Sequence, residues 1–343
     1  MLVVMDVSAT KKQIKQIKKR IREMDYIPHD IPYHDSLAIS VTGDINNIED
    51  RMYFEGLPGV VQVVPISKPY KLASRDLHPE NSIVDVAGVK FGDGNVVMIA
   101  GPCALESEDQ LLRIAEQVAK RGAQMLRGGT YKPRTSPYSF QGLGERGLEF
   151  LAKVREKIGL PIVTEVLDPS LPELVGQYAD MFQIGTRNMH NSPLLKKVGK
   201  FGKPVLMKRG FGATLDETLL AAEYIMSSGT HDVVICERGI RTFGSHARFN
   251  LDIGFIPALN QLSHLPIIAD PSHSSGYRYS VIPHALAGIS AGADGLIVEV
   301  HDHPEDALSD GPQSLTPDQF SELMKLATGV CEVLGKKIGK VSD

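Results

Sequence analysis

The chain has 343 residues, a length that suits a barrel of roughly 250 residues together with one small module. Apolar residues make up 42% and charged residues 23%, the formal net charge is only -4, and no apolar run approaches the ~20 residues that span a membrane, so neither a nucleic-acid partner nor a membrane is expected. The three cysteines, Cys103, Cys236 and Cys331, do not suit a disulfide framework, and lysines follow MLVVMDV where a signal peptide would continue apolar, so we expect a cytoplasmic protein.

Residues 1–67 predict a small module of four strands and two helices. Strands are predicted over MLVVMDV at the start and over 27–33, 36–43 and 60–67. A helix is predicted over 10–24, where isoleucines recur at helical spacing, and a second helix over 46–57. The resulting order, βαββαβ, is the ferredoxin-like plan.

The helix predicted over 10–24 is strongly basic. We interpret its seven lysines and arginines as a solvated face opposite the isoleucine stripe. The alternative is a patch for nucleic acid or for an acidic partner, which is disfavoured because no aromatic residue is interleaved with the basic ones.

The rest of the chain predicts a (β/α)8 barrel over 95–343, after a linker and hairpin over 68–94. Short runs rich in valine and isoleucine alternate eight times with longer amphipathic stretches, which indicates a closed parallel barrel covered by helices. The strand candidates are 96–101, 123–127, 161–166, 181–185, 204–208, 232–237, 266–270 and 295–300. The helices are predicted to begin near Ser107, Gly144, Pro169, Ser192, Thr214, Asp252, Val281 and Thr316.

Active sites of such barrels lie at the C-terminal ends of the strands, and cationic side chains follow several of these predicted strands. Six cations at one rim would repel one another, whereas two phosphates and a carboxylate would neutralise them. The alternative is a scatter of unrelated surface charges. The six are Arg127, Lys132, Arg134, Arg187, Lys208 and Arg238.

A second set combines one thiol, one imidazole and two carboxylates: Cys103, His273, Glu299 and Asp310. These donors suit a borderline divalent ion such as Mn, Fe, Co, Zn or Cu, although their long spacing matches no local motif. Taken alone, Cys103 would be a small buried hydrophobe. His301 and His303 also resemble a metal-binding pair, which is disfavoured because His303 lies past the strand in a charged loop, where solvent exposure is the simpler explanation.

The motifs around these residues resemble a known family. They are GPC (101–103), KPRTSPY (132–138), GTRN (185–188), LMKRG (206–210), CERG (236–239), DPSHSSG (270–276), VEVH (298–301) and LSDGPQSL (308–315). In this order they look like the class I 3-deoxy-arabino-heptulosonate 7-phosphate (DAHP) synthases of the β-type, relatives of 3-deoxy-octulosonate 8-phosphate synthase. The first 67 residues resemble the ferredoxin-like extension that some of these enzymes carry.

The resemblance implies a role for each residue. Cys103, His273, Glu299 and Asp310 align with the family's ligands for one divalent metal ion. The residues that align with the phosphoenolpyruvate site are Arg127, Lys132, Arg187, Lys208 and Arg238. Arg134 and Thr135 align with the site for erythrose 4-phosphate, and KPRT favours this aldehyde over arabinose 5-phosphate. One departure is His190, where relatives are expected to have glutamine.

The reaction implied by the resemblance opens the shikimate pathway. Carbon 3 of phosphoenolpyruvate attacks the aldehyde of erythrose 4-phosphate, which the bound metal polarises; water adds at carbon 2, and phosphate leaves by carbon–oxygen cleavage. Lys132 is the candidate general acid for the aldehyde oxygen. His273 and Glu165 are weaker candidates for proton transfer.

The sequence leaves alternatives open for both the barrel and the N-terminal domain. The nearest alternative is 3-deoxy-octulosonate 8-phosphate synthase, and another is a sensing module fused to an inactive barrel. By resemblance, the N-terminal domain binds tyrosine or phenylalanine and inhibits a homotetramer; the alternative is that it only stabilises the oligomer.

Overall fold

The chain is described by a computed structural model over residues 1–33, 36–42, 48–64, 68–134 and 136–339, with 32, 33, 42 and 48–51 described by backbone alone. Thr135, the predicted start of the second helix at 46–47 and the predicted end of the fourth strand at 65–67 lie outside the described residues. The chain divides into two compact units, Met1–Leu77 and His78–Asp343. None of the described helices is both long and apolar enough to cross a membrane.

The first unit is an antiparallel sheet with two helices, as predicted. Its elements are β1 (Leu2–Met5), α1 (Lys11–Glu23), β2 (Ile27–Tyr33), β3 (Ser36–Thr42), α2 (Ile48–Glu55) and β4 (Val60–Val64). The strand order is β2-β3-β1-β4, and each neighbouring pair is antiparallel. This is the sheet order of a ferredoxin-like βαββαβ unit, so the predicted plan is confirmed.

Helix α1 shows why this unit folds as it does. A capping box between Thr10 and Gln13 starts the helix. Ile17 and Ile21 are buried in the core that the sheet contributes to. The basic side chains lie away from this core, exposed or partly exposed, and Lys18 pairs with Asp30.

The second unit contains the predicted closed barrel of eight parallel strands. They are β7 (Val97–Gly101), β8 (Met125–Arg127), β9 (Ile162–Glu165), β10 (Met181–Ile184), β11 (Val205–Lys208), β12 (Val233–Glu237), β13 (Ile267–Ala269) and β14 (Gly295–Glu299). Strand β14 pairs with β7 and closes the barrel. The fold prediction is confirmed, with strand ends that differ by at most two residues from those predicted.

Helices follow the strands on the outside. They are α3 (Glu108–Lys120), α4 (Glu145–Ile158), α5 (Pro172–Val175), α6 (Ser192–Phe201), α7 (Leu215–Met226), α8 (Phe255–Leu262), α9 (Pro271–Ser275), α10 (Arg278–Ser290) and α11 (Pro317–Val333). Helix α9 was not predicted. Asp270 caps its N-terminus, Pro271 occupies its first turn, and Gly276 ends it in the left-handed conformation.

A hairpin of β5 (Val84–Val86) and β6 (Val89–Phe91) packs on the N-terminal end of the barrel. Its apolar residues Val84, Val86, Val89 and Phe91 are buried in one cluster with the inward side chains of the strands. Ser82 N donates a hydrogen bond to the His264 carbonyl, which ties the hairpin to the loop before β13. The hairpin therefore fills the barrel end opposite to the predicted site.

Two glycines after β6 test how tightly this end is packed. Gly92 and Gly94 both have left-handed φ angles, +86° and +92°, but a Cβ on Gly92 would lie 2.2 Å from the Ser82 carbonyl oxygen, whereas one on Gly94 would meet nothing within 4 Å. Gly94→Ala should cost about 1–2 kcal/mol, from backbone strain alone. Gly92→Ala should cost about 1–3 kcal/mol more, because backbone atoms must move. Thermal unfolding of both variants checks this, and equal losses would contradict the proposed tight contact.

Candidate active site

The cationic side chains predicted after the strands meet at one cavity. It has a volume of about 280 Å³ at the C-terminal ends of the strands. Glu165, His273 and Asp310 also line it. All six predicted cations do so as well: Arg127, Lys132, Arg134, Arg187, Lys208 and Arg238.

The predicted metal ligands also come together. One ligand atom from each of Cys103, His273, Glu299 and Asp310 lies within 4.8 Å of the others. The Sγ atom of Cys103 lies 3.1 Å from Asp310 Oδ2, and His273 Nε2 lies 3.2 Å from Glu299 Oε1. A sulfur, an imidazole nitrogen and two carboxylates at these separations fit a single divalent ion of the borderline class.

A buried carboxylate fixes the orientation of His273. Asp270 Oδ2 lies 2.8 Å from His273 Nδ1 and accepts a hydrogen bond of 2.6 Å from Lys208 Nζ. When Nδ1 donates its proton to Asp270, Nε2 is the ring nitrogen that can ligate a metal, on the side of Glu299. Burial alone would raise the pKa of Asp270, but His273 and Lys208 hold that pKa well below its usual range.

The second buried carboxylate, Glu299, is shared among three partners. Arg127 Nη1 donates to Oε1 at 3.0 Å, and Gln313 Nε2 donates to Oε2 at 2.6 Å. The third partner is His273. Burial alone would raise the pKa of Glu299, but His273 and Arg127 lower it, so the group stays ionised at neutral pH.

The thiol of Cys103 is enclosed by polar groups. Lys132 Nζ lies 3.0 Å and Ser309 Oγ 3.3 Å from its sulfur. Burial, followed by the charge of Glu299, raises the pKa of Cys103 to about 12. Without a bound cation the sulfur is therefore protonated at neutral pH.

The cationic wall is largely uncompensated. Arg127 and Lys208 pair with Glu299 and Asp270. Within the described residues, no carboxylate oxygen lies within 4.0 Å of the charged nitrogens of the other four cations. An anionic ligand is the natural complement of such a wall.

Arg238 is held by aromatic rings. Its guanidinium lies 5.1 Å from the ring centre of Phe211 and 4.4 Å from that of Phe249, and these two rings stack on each other at 4.8 Å. Arg187 lies 5.6 Å from the Phe211 ring. The buried Nε atoms of Arg127 and Arg238 have no hydrogen-bond acceptor within the described chain. Buried donors of this kind are normally satisfied, so these two unpaired groups are an unusual feature of the site.

The position of Glu165 depends on a glycine. Its Oε2 accepts a hydrogen bond of 3.3 Å from Gln183, and a Cβ on Gly185 would lie 1.9 Å from its Oε1. The carboxylate therefore occupies space that any other residue at 185 would fill. Glu165 lines the cavity together with Lys132, the candidate general acid.

Three contributing residues were missed from the sequence. Asp270 and Gln313 lie inside the quoted motifs, and the i,i+3 spacing of Asp270 and His273 was a usable signal. Arg248 lines the cavity with its charged end 4.0 Å from Asp310, and no local signal pointed to it. His303 is exposed, as expected. His301 is buried; it lies 2.8 Å from Gln110 and takes no part in the ligand cluster.

The chain belongs to the DAHP synthetase I family, whose model matches residues 73–334. The model of the DAHP synthase ferredoxin-like domain matches residues 1–68. The two family models together therefore match nearly the whole chain.

Named relatives agree with this assignment. The chain is 46% identical over 340 residues to a phospho-2-dehydro-3-deoxyheptonate aldolase of Thermotoga maritima, covering 98% of this chain and 100% of that protein. A crystal structure of that DAHP synthase gives a TM-score of 0.79 at 44% identity and covers 98% of both chains. A 2-dehydro-3-deoxyphosphooctonate aldolase of Syntrophobacter fumaroxidans is 32% identical, covering 70% of this chain and 89% of that protein.

The buried pair of Asp270 and Lys208 yields a stability prediction. Asp270→Asn should cost about 3–5 kcal/mol, because Lys208 is then buried without its counter-charge. The pKa of Asp270 is depressed, so the carboxylate's contribution to stability is present at neutral pH and is lost only as the pH falls through the acid range. Denaturant unfolding measures this loss.

Two further variants separate the charge effect from a general defect. Adding Lys208→Met to Asp270→Asn should recover part of the lost stability. Glu108→Gln, which breaks an exposed pair with Lys153, should cost no more than about 1 kcal/mol. A double variant that is no more stable than Asp270→Asn would contradict the pairing argument.

Proposed function

We propose that this chain condenses phosphoenolpyruvate with erythrose 4-phosphate and water to give 3-deoxy-D-arabino-heptulosonate 7-phosphate and phosphate, the first step of the shikimate pathway. The observation that carries the proposal is the meeting of four metal-type ligands with a cationic cavity at one barrel end. Both substrates are phosphorylated, and one also carries a carboxylate, so the charges are complementary.

Phosphoenolpyruvate is assigned to the inner part of the cavity. Its proposed partners are Arg127, Lys132, Arg187, Lys208 and Arg238. Arg127 and Arg238 are proposed to bind its oxygens through their guanidinium groups. Because aromatic contacts already hold the guanidinium of Arg238, this side chain loses little conformational entropy when the substrate binds.

Erythrose 4-phosphate is assigned to the outer part. Arg134 and Thr135 are its proposed partners, and the structure describes Arg134 but not Thr135. Arg134 Nη1 donates to Ser309 Oγ at 2.6 Å, which directs the guanidinium along the cavity wall toward the ligand cluster. This contact supports a position for the phosphate at the mouth of the cavity, with the aldehyde pointing inward.

Cys103, His273, Glu299 and Asp310 would hold one divalent ion, which supplies Lewis acidity to the aldehyde oxygen when bound. Lys132 is the proposed general acid for that oxygen. Its Nζ lies 3.0 Å from Cys103 Sγ and donates to the Cys103 carbonyl at 3.1 Å, so it sits against the ligand cluster. Gly129 allows this approach, since a Cβ there would lie 2.9 Å from Cδ of Lys132.

Residues of the chain assist each bond change of the proposed reaction. Carbon 3 of phosphoenolpyruvate forms a bond to the aldehyde carbon while Lys132 gives its proton to the aldehyde oxygen. Water adds at carbon 2 and loses a proton, for which Glu165 is the candidate, since both ring nitrogens of His273 are engaged, by Asp270 and by the ligand cluster. The bond from carbon 2 to the phosphate oxygen then breaks, phosphate leaves with that oxygen, and the remaining hydroxyl loses its proton to become the carbonyl. The cations hold both substrates in contact, which makes the encounter intramolecular.

An assay that offers two aldehydes tests the proposal. We expect loss of phosphoenolpyruvate with erythrose 4-phosphate and little turnover with arabinose 5-phosphate, because the KPRT stretch matches the four-carbon enzyme. A preference for arabinose 5-phosphate would identify instead the activity named for the 2-dehydro-3-deoxyphosphooctonate aldolases.

Metal dependence is tested at Cys103. A chelator should inactivate the protein, and divalent ion should restore it; Cys103→Ser should lose this activity, because a hydroxyl is a poor ligand for borderline metals. Cys331→Ser, which removes a buried thiol of α11, serves as the control and should keep the activity.

Since the pKa of Cys103 is about 12, metal binding must displace a proton, and metal affinity should rise about tenfold per pH unit near neutrality. Full activity in the metal-free protein would contradict the metal assignment.

We further propose that the N-terminal domain binds tyrosine or phenylalanine and inhibits the barrel of a cytoplasmic homotetramer. A chain that begins near Asn81 should stay active and lose this inhibition, because it retains the hairpin at 84–91 while the first compact unit is removed. Inhibition of the full chain and of the shortened chain by either amino acid is the measurement. If the full chain responds to neither, the domain only stabilises the oligomer.

A further inference from the structure

Ser309 connects the outer cation of the cavity with the ligand cluster. Its Oγ lies 2.6 Å from Arg134 Nη1 and 3.3 Å from Cys103 Sγ. The residue is 4% exposed, although it lies in a loop between β14 and α11. A single buried hydroxyl thus touches both a proposed substrate-binding cation and a proposed metal ligand.

The chemistry of the three groups sets the direction of both hydrogen bonds. A guanidinium has only donors, so Ser309 Oγ accepts from Arg134. The thiol of Cys103 donates its one hydrogen to Asp310 Oδ2 at 3.1 Å, so the hydrogen bond between Ser309 Oγ and the sulfur uses the hydrogen of the Ser309 hydroxyl. The order of donation is therefore Arg134 to Ser309 to Cys103.

The loop holds Ser309 in place from both sides. Leu308 N donates to Glu106 Oε1 at 2.8 Å, which fastens the loop to the segment after β7. Asp310 has a left-handed φ of +54°, and its carbonyl accepts from Gln313 N at 3.3 Å. A non-glycine residue held in this conformation turns the chain so that Ser309 and Asp310 both face Cys103.

We propose that Ser309 is a positioning residue that transmits occupancy of Arg134 by an anion to the sulfur of Cys103. The inference rests on the proposed function and deepens it. The phosphate of the aldehyde substrate would draw the Arg134 guanidinium toward its oxygens. This movement alters the hydrogen bond that Ser309 receives from Arg134 and therefore the one that Ser309 donates to Cys103. A hydrogen bond to a ligating sulfur changes how strongly it donates to a metal.

The sulfur has a second donor that makes the effect measurable. Lys132 Nζ, at 3.0 Å, still donates a hydrogen bond to the sulfur when Ser309 is altered. Loss of the Ser309 hydroxyl should therefore weaken Co²⁺ binding, by roughly 10- to 100-fold, without abolishing it.

The test uses the full chain loaded with Co²⁺ and follows the sulfur-to-cobalt charge-transfer band. Saturating phosphoenolpyruvate first occupies the inner cations, and inorganic phosphate is then added as the probe of the Arg134 end. We expect phosphate to shift the band of the unchanged protein. Ser309→Ala should shift the band toward lower energy, because the thiolate loses a hydrogen-bond donor, and should no longer respond to phosphate.

Three further variants separate this role from a structural one. Ser309→Thr keeps the hydroxyl and should restore both the band and its response. Ser263→Ala removes another buried hydroxyl, one placed before β13 at the far end of the barrel, and should leave both unchanged. Arg134→Ala should keep the cobalt band and lose the response to phosphate, and it tests the inference even if Ser309→Ala does not fold.

The outcomes are distinct for the two proposals. A missing cobalt–sulfur band in the unchanged protein would overturn the proposed metal site, and the inference with it. A band that is present but responds to phosphate equally in Arg134→Ala, or in Ser309→Ala, would overturn the inference alone.

Discussion

The site depends on two carboxylates that are removed from water and kept ionised. Asp270 and Glu299 are both 0% exposed, and each would be costly to bury without counter-charges. His273 lies between them, while Lys208 and Arg127 complete the two pairs. The ligand cluster and the cationic wall are therefore linked electrostatically, since Lys208 and Arg127 each pair with a carboxylate that also orients or forms a ligand.

The order of strands around the barrel divides this unit into two halves. Cys103, Arg127, His273 and Glu299 follow or end β7, β8, β13 and β14, which are consecutive neighbours across the closure of the barrel. Arg187, Lys208 and Arg238 come from the region of β10, β11 and β12 on the other side. The proposed metal and the proposed anion thus face each other, because barrel closure brings the first and last strands together.

Much of this arrangement is predictable from the sequence. Runs of valine and isoleucine located all eight strands, and the rule that reactive groups follow strands selected every residue of the cluster. What could not be predicted is which side chains contact each other. Lys208 and Asp270 lie 62 residues apart in the sequence, and His301 and Gln110 lie 191 residues apart, so no local pattern indicates either contact. Helix α9 was readable from Asp270, Pro271 and Gly276, but so short a helix has no apolar periodicity to indicate it.

The hairpin at the N-terminal end of the barrel limits where ligands can enter and leave the cavity. Phe91 and its apolar neighbours fill that end, so a molecule bound against Lys208 exchanges with solvent through the loops that carry Arg134 and Arg248. A ligand at the mouth then blocks the route to the interior. For the two substrates proposed above, this shape favours entry of the inner one before the outer one.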